Sequence, residues 1–403
     1  MKRIKELLLR FIYWICRLLP IDRKMIAFES EGDFCDNSRA LYDYMLEHTT
    51  EYHFVWLVHK DITSWKESHT NNARTSFVYH NYRLHSLKDI LILSCAKYIF
   101  YTHGLGLDFR VRKDQKVLNL WHGIPIKGIK RMSNKRQKPQ FHYLLCLSEE
   151  NAPFISKFLE CDITYAIPLG YPRNDLLIKH KGIGRQNPFV PTGFNGKVVI
   201  WMPTFRKSWN KIISEDNCDN ETGLPLLETA TALQGFNSFL SSINTHLIVK
   251  IHHLQAQKDA FKYNLSNIVF VQDEDILSKQ LQLYQIIAKT DALLTDYSSV
   301  FIDYLLIDRP IGFILDDMEK YKNNRGEFLY SPITDLMAGT HIYNIKQLKD
   351  FFSDIATGVD NTKGIRNAIR RKMIKYHDGN SCERIATFLR MNIDRNNKAK
   401  VML

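Results

Sequence analysis

The chain has 403 residues, a formal net charge of +12, 45% hydrophobic and 12% aromatic residues. That length exceeds one ordinary core and fits two domains, and this much apolar and aromatic content excludes an intrinsically disordered chain. The basic balance bears on partners and not on fold: phosphate-rich substrates, anionic lipid and nucleic acid all answer to it.

The first element is a helix over residues 1–22. Leu7, Leu8, Phe11, Ile12, Trp14, Ile15, Leu18 and Leu19 cover most of its surface, while Arg3, Arg10 and Arg17 fall on one face at heptad spacing. The arginines interrupt the apolar run before it reaches the roughly 18–20 residues of a membrane-spanning helix, and Pro20 ends it. A basic amphipathic helix with Trp and Tyr reads as an interfacial helix on anionic lipid; packing on the protein's own body is the other reading.

From Lys24, short apolar runs alternate with amphipathic stretches. Strands are expected over Met25–Phe28, Phe54–Val58, Phe77–His80, Tyr98–Tyr101, Val117–Trp121 and Tyr143–Leu147, with helices over Ser38–Glu47 and Ser86–Ala96. This alternation predicts a mostly parallel α/β sheet. Lys179 to Gly196 (KHKGIGRQNPFVPTGFNG) has the Gly, Pro and polar content of a linker. Strands then resume over Val198–Met202, Leu247–Ile251, Ile268–Val271, Ala292–Thr295 and Ile311–Ile314. Helices are expected over Leu226–Ile243, Leu277–Lys289, Phe301–Ile307, Ile345–Phe352, Ile365–Tyr376 and Cys382–Arg390. The expected domains are therefore 23–185 and 186–403, and ligands of such open sheets bind outside the carboxyl ends of the strands, which makes a cleft between the domains the default site. Seven scattered cysteines without a CxxC pair imply free thiols, a reducing compartment and no zinc site.

Four clusters carry the chemistry. In Asn119-Leu-Trp-His-Gly-Ile-Pro-Ile-Lys127, His122 follows a strand directly and lies at its carboxyl end. A transferase that deprotonates a hydroxyl needs a base titrating near neutrality, and histidine is the natural choice; a histidine that merely caps the next turn has the same spacing. In Leu247-Ile-Val-Lys-Ile-His-His-Leu254, a second strand ends at His252 and His253, where an imidazole can donate to a phosphate oxygen. In Asp291-Ala-Leu-Leu-Thr-Asp-Tyr-Ser-Ser-Val300, Ser298 and Ser299 open a helix after Asp296, an arrangement suited to a phosphate as well as to ordinary capping. Arg206, after Trp201-Met-Pro-Thr-Phe, and Arg325-Gly326 are cations able to clamp a phosphate; taken alone, each reads as an ordinary surface arginine. Lys127, Lys130, Arg131, Lys135, Arg136 and Lys138 form an acid-free run beyond His122; a solvated loop is the usual reading of such a run, and its place beside His122 favours a phosphate-rich acceptor or a lipid surface. No helix-turn-helix, zinc-finger or RNP-type pattern accompanies the charge, so nucleic acid is not expected as a partner. Pro168-Leu-Gly-Tyr-Pro-Arg-Asn-Asp175 reads as an architectural turn between the domains.

Together these clusters resemble the CDP-glycerol:poly(glycerophosphate) glycerophosphotransferase family, which makes teichoic acids and related capsular polymers. The resemblance rests on Phe28-Glu-Ser-Glu-Gly32 with Asp36-Asn37, on Trp121-His-Gly-Ile-Pro-Ile-Lys127, and on Leu147-Ser-Glu149, Gly170-Tyr-Pro-Arg-Asn-Asp175 and Pro203-Thr-Phe-Arg206. It continues through Thr295-Asp-Tyr-Ser-Ser-Val300, Asp303-Tyr304, Arg309-Pro310, Arg325-Gly326 and Asp378-Gly-Asn-Ser-Cys-Glu-Arg384, all in order. It implies a GT-B-like fold of two Rossmann-like domains behind the amphipathic helix. It also implies a metal- and cofactor-independent transferase, peripheral on the cytoplasmic membrane face. The donor would be CDP-glycerol or CDP-ribitol, the acceptor a lipid-linked or polymeric saccharide, and the released product CMP. By this resemblance His122 and His252 are catalytic, and Asp296, Ser298, Ser299, Arg206 and Arg325 hold the donor. His252-His253 stands where the family has His-Pro, so either imidazole is eligible. Another CMP-releasing GT-B enzyme, such as a sialyltransferase, is the alternative.

Overall fold

The computed structural model describes residues 2–59, 72–81, 86–106, 109–127, 139–182, 186–204, 221–251, 263–325 and 327–394. Two parallel sheets organise them. The first contains β1 (Asp22–Glu29), β2 (His53–Val58), β3 (Thr75–Tyr79), β4 (Ala96–Tyr101), β5 (Lys116–Asn119), β6 (Tyr143–Leu145) and β7 (Ala166–Ile167), in the order β3-β2-β1-β4-β5-β6-β7. The second contains β8 (Lys197–Met202), β9 (Thr245–Lys250), β10 (Ile268–Val271), β11 (Ala292–Thr295), β12 (Ile311–Ile314) and β13 (Thr340–Ile342), in the order β10-β9-β8-β11-β12-β13. Every pairing in both sheets is parallel. Parallel neighbours need crossovers, which cover both sheet faces. This is why Phe54–Val58 is an unbroken buried run and not an alternating one.

The helices are α1 (Lys2–Cys16), α2 (Asp36–His48), α3 (Leu87–Cys95), α4 (Ala152–Phe158), α5 (Pro172–His180), α6 (Ala230–Ser242), α7 (Asp273–Ser278), α8 (Leu283–Ile287), α9 (Val300–Tyr304), α10 (Met318–Arg325), α11 (Ile345–Thr357), α12 (Lys363–Met373) and α13 (Ser381–Phe388). Local chemistry sets their ends. Ser86 accepts from Asp89 N to start α3, and Asn344 accepts from Gln347 N to start α11, which stops at Gly358 with φ +78°. In the first core Phe28 stacks on Trp56 at 5.3 Å, with Phe34, Tyr42 and Phe54 around them. In the second, Trp201, Leu233, Phe236, Leu240 and Phe352 pack together, all within 1% of complete burial.

The chain divides into two compact units: Met1–His122, Lys135–Asp175 and Asp378–Leu403 form one, Gly123–Asn134 and Leu176–His377 the other. This corrects the expected domains 23–185 and 186–403, because the C-terminal segment returns to the first unit. The Asp175 carboxylate accepts from Ser381 N (2.8 Å) and Cys382 N (2.9 Å) at the start of α13. Arg384 Nε donates to the Leu169 carbonyl at 3.0 Å. Gly170, at φ +84°, lies so close to this helix that a β-carbon would come within 2.6 Å of Ser381 Oγ. The Gly170–Asp175 motif is thus a clasp within the first unit.

One face of α1 docks on that unit: Tyr13 Oη donates to the Arg110 carbonyl at 2.9 Å and accepts from Arg110 N at 3.0 Å, and Arg17 donates to the same carbonyl. Arg17 therefore anchors the helix to the body, whereas heptad spacing had grouped it with a solvent- or lipid-facing stripe. Leu8, Phe11, Trp14, Ile15 and Leu18 remain exposed, Leu18 at 86%. No helix among the described residues is long and apolar enough to cross a membrane. The described cysteines are free thiols.

Candidate active site

Each sheet reverses its winding between its first strand and its fourth, and ligands of open sheets bind beside such a switch point, at the carboxyl ends of the strands. In the first sheet it falls between β1 and β4. Here the strands end on titratable groups: β3 runs into His80, β2 into His59, β1 ends at Glu29, β4 leads to Thr102 and His103, and β5 leads through Leu120 and Trp121 to His122.

Glu29, fully buried, ties the row together. Its Oε2 accepts from Thr102 N at 3.3 Å and His103 N at 3.5 Å, and its Oε1 meets His59 Nε2 at 3.3 Å. His59 Nδ1 contacts the His80 carbonyl at 3.2 Å, and His80 Nδ1 pairs with buried Asp89 at 2.9 Å. Burial alone would push His59 down, but the hydrogen bond and charge of Glu29, the charge of Asp33 and the His80 carbonyl hold it above its ordinary value.

His122 is set by an unusual turn. Trp121 sits at φ +54°, a region bulky side chains rarely adopt. Its N–H donates to Asn119 Oδ1 at 2.9 Å, and its carbonyl accepts from Asn37 Nδ2 at 2.8 Å. Asn37 in turn accepts from Arg173 N at 3.1 Å, and the Arg173 guanidinium meets the Asp36 carboxylate at 2.9 and 3.0 Å. The His122 ring lies 4.3 Å from the Trp121 ring and 4.1 Å from the parallel His103 ring. Its Nδ1 is buried without a hydrogen-bond partner among the described residues, while the residue as a whole is partly exposed. Burial, then the charge of His103, lower its pKa to about 3; Asp36 pulls upward, Arg173 downward, and the Thr102 carbonyl upward. The imidazole is therefore neutral at physiological pH, the state in which it accepts a proton.

In the second sheet the switch point lies between β8 and β11. Buried Asp296 accepts from Thr204 N at 3.0 and 2.9 Å, from Thr204 Oγ1 and from Tyr297 N at 2.6 Å. It holds the loop after β8 to the loop after β11. Ser298 and Ser299 follow, both half-buried. Ser299 occupies the cap position of α9, yet its side chain makes no capping bond, so capping does not account for this hydroxyl. Tyr297 donates to Asp317 Oδ1 at 2.9 Å and stacks on Tyr321 at 4.0 Å. The segment after His122 belongs to this second unit. Lys127 bridges Phe328, Leu329 N donates to the Ile126 carbonyl at 2.9 Å, and Lys127 Nζ lies 5.9 Å from the Tyr321 ring centre. Lys127, expected beside the acceptor because it follows His122 closely, is thus built into the second unit by main-chain pairing.

Arg206, His252, His253, Lys130 and Arg131 lie outside the described residues, as does the side chain of Arg325, whose backbone ends α10. Two family motifs prove internal. Arg309 donates to the carbonyls of Ala288 and Thr290, and Asp303 accepts from Tyr284 Oη at 2.6 Å. Sequence reasoning gave no role to Glu29, Glu31, Asp36, His59, His80, His103 or Arg173. The signal for the histidines was a polar residue closing an apolar run, repeated at strand after strand.

The family model described as CDP-Glycerol:Poly(glycerophosphate) glycerophosphotransferase matches residues 11–390. The chain belongs to this family. It is 25% identical to a teichoic acid poly(glycerol phosphate) polymerase of Bacillus spizizenii, over 81% of this chain and 84% of that one. It is 24% identical to a teichoic acid glycerol-phosphate transferase of Staphylococcus aureus (95% and 97%) and to a teichoic acid ribitol-phosphate primase of B. spizizenii (92% and 92%). A solved structure of the wall teichoic acid polymerase TagF matches with a TM-score of 0.73 at 18% identity, covering 96% of this chain and 95% of that one. This chain is thus a glycerophosphotransferase-type enzyme with a TagF-like α/β fold, and the match sets aside the sialyltransferase alternative.

Proposed function

We propose that this glycerophosphotransferase transfers glycerol phosphate or ribitol phosphate from the corresponding CDP-polyol to a hydroxyl of a lipid-linked or polymeric saccharide in surface-polymer synthesis. The observation that carries the reading is His122, neutral at the carboxyl edge of the first sheet and placed there by the turn at Trp121. The acceptor oxygen attacks the donor's β-phosphorus, the new P–O bond forms as the bond to CMP breaks, and His122 takes the hydroxyl proton. A neutral imidazole in so dry a place is a weak base in the free protein. The donor's negative charge raises its proton affinity when the donor binds, toward the range where general bases work best.

In the second unit Ser298 and Ser299 hold donor phosphate oxygens, and Asp296 acts by fixing the loop that presents them. Lys127 adds its charge on that side. The family resemblance adds His252, Arg206 and Arg325 to the donor contacts. Metal independence is part of this reading, supported by Asp296, whose oxygens are already engaged by Thr204 and Tyr297; turnover surviving a chelator is the expected result. Peripheral attachment to the cytoplasmic membrane face through α1 is supported by the exposed Leu8, Phe11, Ile15 and Leu18 opposite its docked side.

The test is thermal stabilisation by CDP-glycerol and by CDP-ribitol, and CMP release from each in the presence of a lipid-linked saccharide acceptor, all without metal. A ligand at 100 times its Kd adds about 2.7 kcal/mol, a shift of about 5–10 °C for units of this size. A shift and CMP release with one donor identify it. Neither donor shifting a well-folded protein would sink the reading.

A further inference from the structure

Beyond the proton acceptor itself, the first sheet holds a second imidazole whose placement is more deliberate than packing requires. We propose that His103 is a positioning residue for His122: it is the flat wall on which the His122 imidazole lies, and it keeps that imidazole in its neutral, proton-accepting form. The proposal rests on the reading that His122 takes the acceptor's proton.

The two rings are parallel to within 3° with centres 4.1 Å apart. His103 is fixed at both ring nitrogens, Nε2 to Glu31 Oε2 at 3.0 Å and Nδ1 to Thr102 Oγ1 at 2.9 Å. Its backbone is fixed as well, because buried Glu29 accepts from the N–H groups of Thr102 and His103. A threonine hydroxyl donates as readily as it accepts. A neutral His103 donates from Nε2 to Glu31 and accepts at Nδ1 from Thr102; a cationic one donates at both. Both ring nitrogens of His103 are thus held by a partner.

Among the described residues, the charged and titratable groups facing His122 are His103 from the end of β4, Asp36 at the start of α2 and Arg173 on α5. Glu31, from the loop after β1, faces His103. His103 and Arg173 both disfavour a charge on His122, and Asp36 partly offsets them. The parallel wall also keeps water from one face of the ring.

The experiment follows the ring signals of His122 by NMR against pH, identified by their absence in His122→Asn, in wild type, His103→Phe and His103→Ala, alongside pH profiles of CMP release. Phenylalanine keeps a flat wall and loses both nitrogen contacts; alanine removes the wall. His122 is expected to titrate about one pH unit higher in His103→Ala, with a smaller rise in His103→Phe, and the acid limb of CMP release to move with it, about tenfold lower turnover on that limb. Should His103→Ala fail to fold, His103→Phe and Glu31→Gln carry the comparison. Unchanged His122 titration in every folded variant overturns the proposal. CMP release surviving in His122→Asn sinks the catalytic reading instead, and leaves the titration to decide on His103 separately.

Discussion

The two sheets share one strand order through six strands, the first adding a seventh at its edge, and each closes its switch point with the same device: a buried carboxylate accepting backbone N–H groups from the neighbouring strand's end. In the first, Glu29 at the end of β1 clamps Thr102 and His103 after β4. In the second, Asp296 after β11 clamps Thr204 after β8. What the clamps present differs. The first holds a row of imidazoles, two of them stacked, in surroundings that decide protonation. The second holds hydroxyls that are not consumed by capping. The clamp belongs to the architecture, while the residues beside it set the chemistry, protons on one edge and anionic oxygens on the other.

The largest effect expected from this contrast is on turnover. His122→Asn should lower CMP release by about 10²–10⁴-fold, the range of a lost general base, with thermal stabilisation by the CDP-polyol retained. Ser298→Ala should do the reverse. A hydrogen bond to a charged group contributes about 1.5–3 kcal/mol, so donor binding should weaken roughly 10–100-fold while turnover at saturation falls less. Donor binding lost in His122→Asn and kept in Ser298→Ala would break the division of labour. Next in size is the clamp itself. Asp296→Ala leaves the buried N–H groups of Thr204 and Tyr297 without their acceptor, and urea denaturation should show a loss of about 3 kcal/mol. Asp296→Asn, which keeps one acceptor oxygen, should lose less. Equal stability of wild type and Asp296→Ala would mean that the clamp is not structural.

Much of the fold was legible because parallel strands announce themselves as short apolar runs: Ile268–Val271, Ala292–Thr295 and Ile311–Ile314 fall where expected. The strands missed, Ala166–Ile167 and Thr340–Ile342, lie at the sheet edges and are too brief for any periodicity. The helix expected over Leu277–Lys289 is two, α7 and α8, since Gln280 turns left-handed at φ +56°. The return of α13 to the first unit was hidden, because a carboxylate accepting from N–H groups two hundred residues away leaves no local pattern. For the site, His122 and the paired serines were marked by position after a strand. The stack on His103 was not, since only the pairing of β4 with β5 brings those two strand ends side by side.

The smallest and most discriminating expectation is a pair of opposite pH dependences on that one edge. His122 titrates near 3 when folded and near its ordinary value of about 6.5 when unfolded. Between these values the unfolded chain binds a proton that the folded one refuses, so stability falls as pH drops from about 6.5 toward 3. At pH 5 a full shift of this kind costs about 2 kcal/mol, and the partial exposure of the residue reduces that to about 1. His59 runs the other way. Its folded value is raised by Glu29 against the pull of burial, so its contribution is fully present below about 6.5 and fades as pH rises through the folded value. His122→Asn should therefore lose less melting temperature than wild type between pH 7.5 and pH 5. Glu29→Gln should lose more, because only Asp33 and the His80 carbonyl then oppose the lowering of His59 by burial. The separation in each case is about 2–4 °C, read from melts at the two pH values. Were both variants to move in the same direction, the two histidines would share one environment, and the opposite tuning of two strand ends on one sheet edge would be wrong.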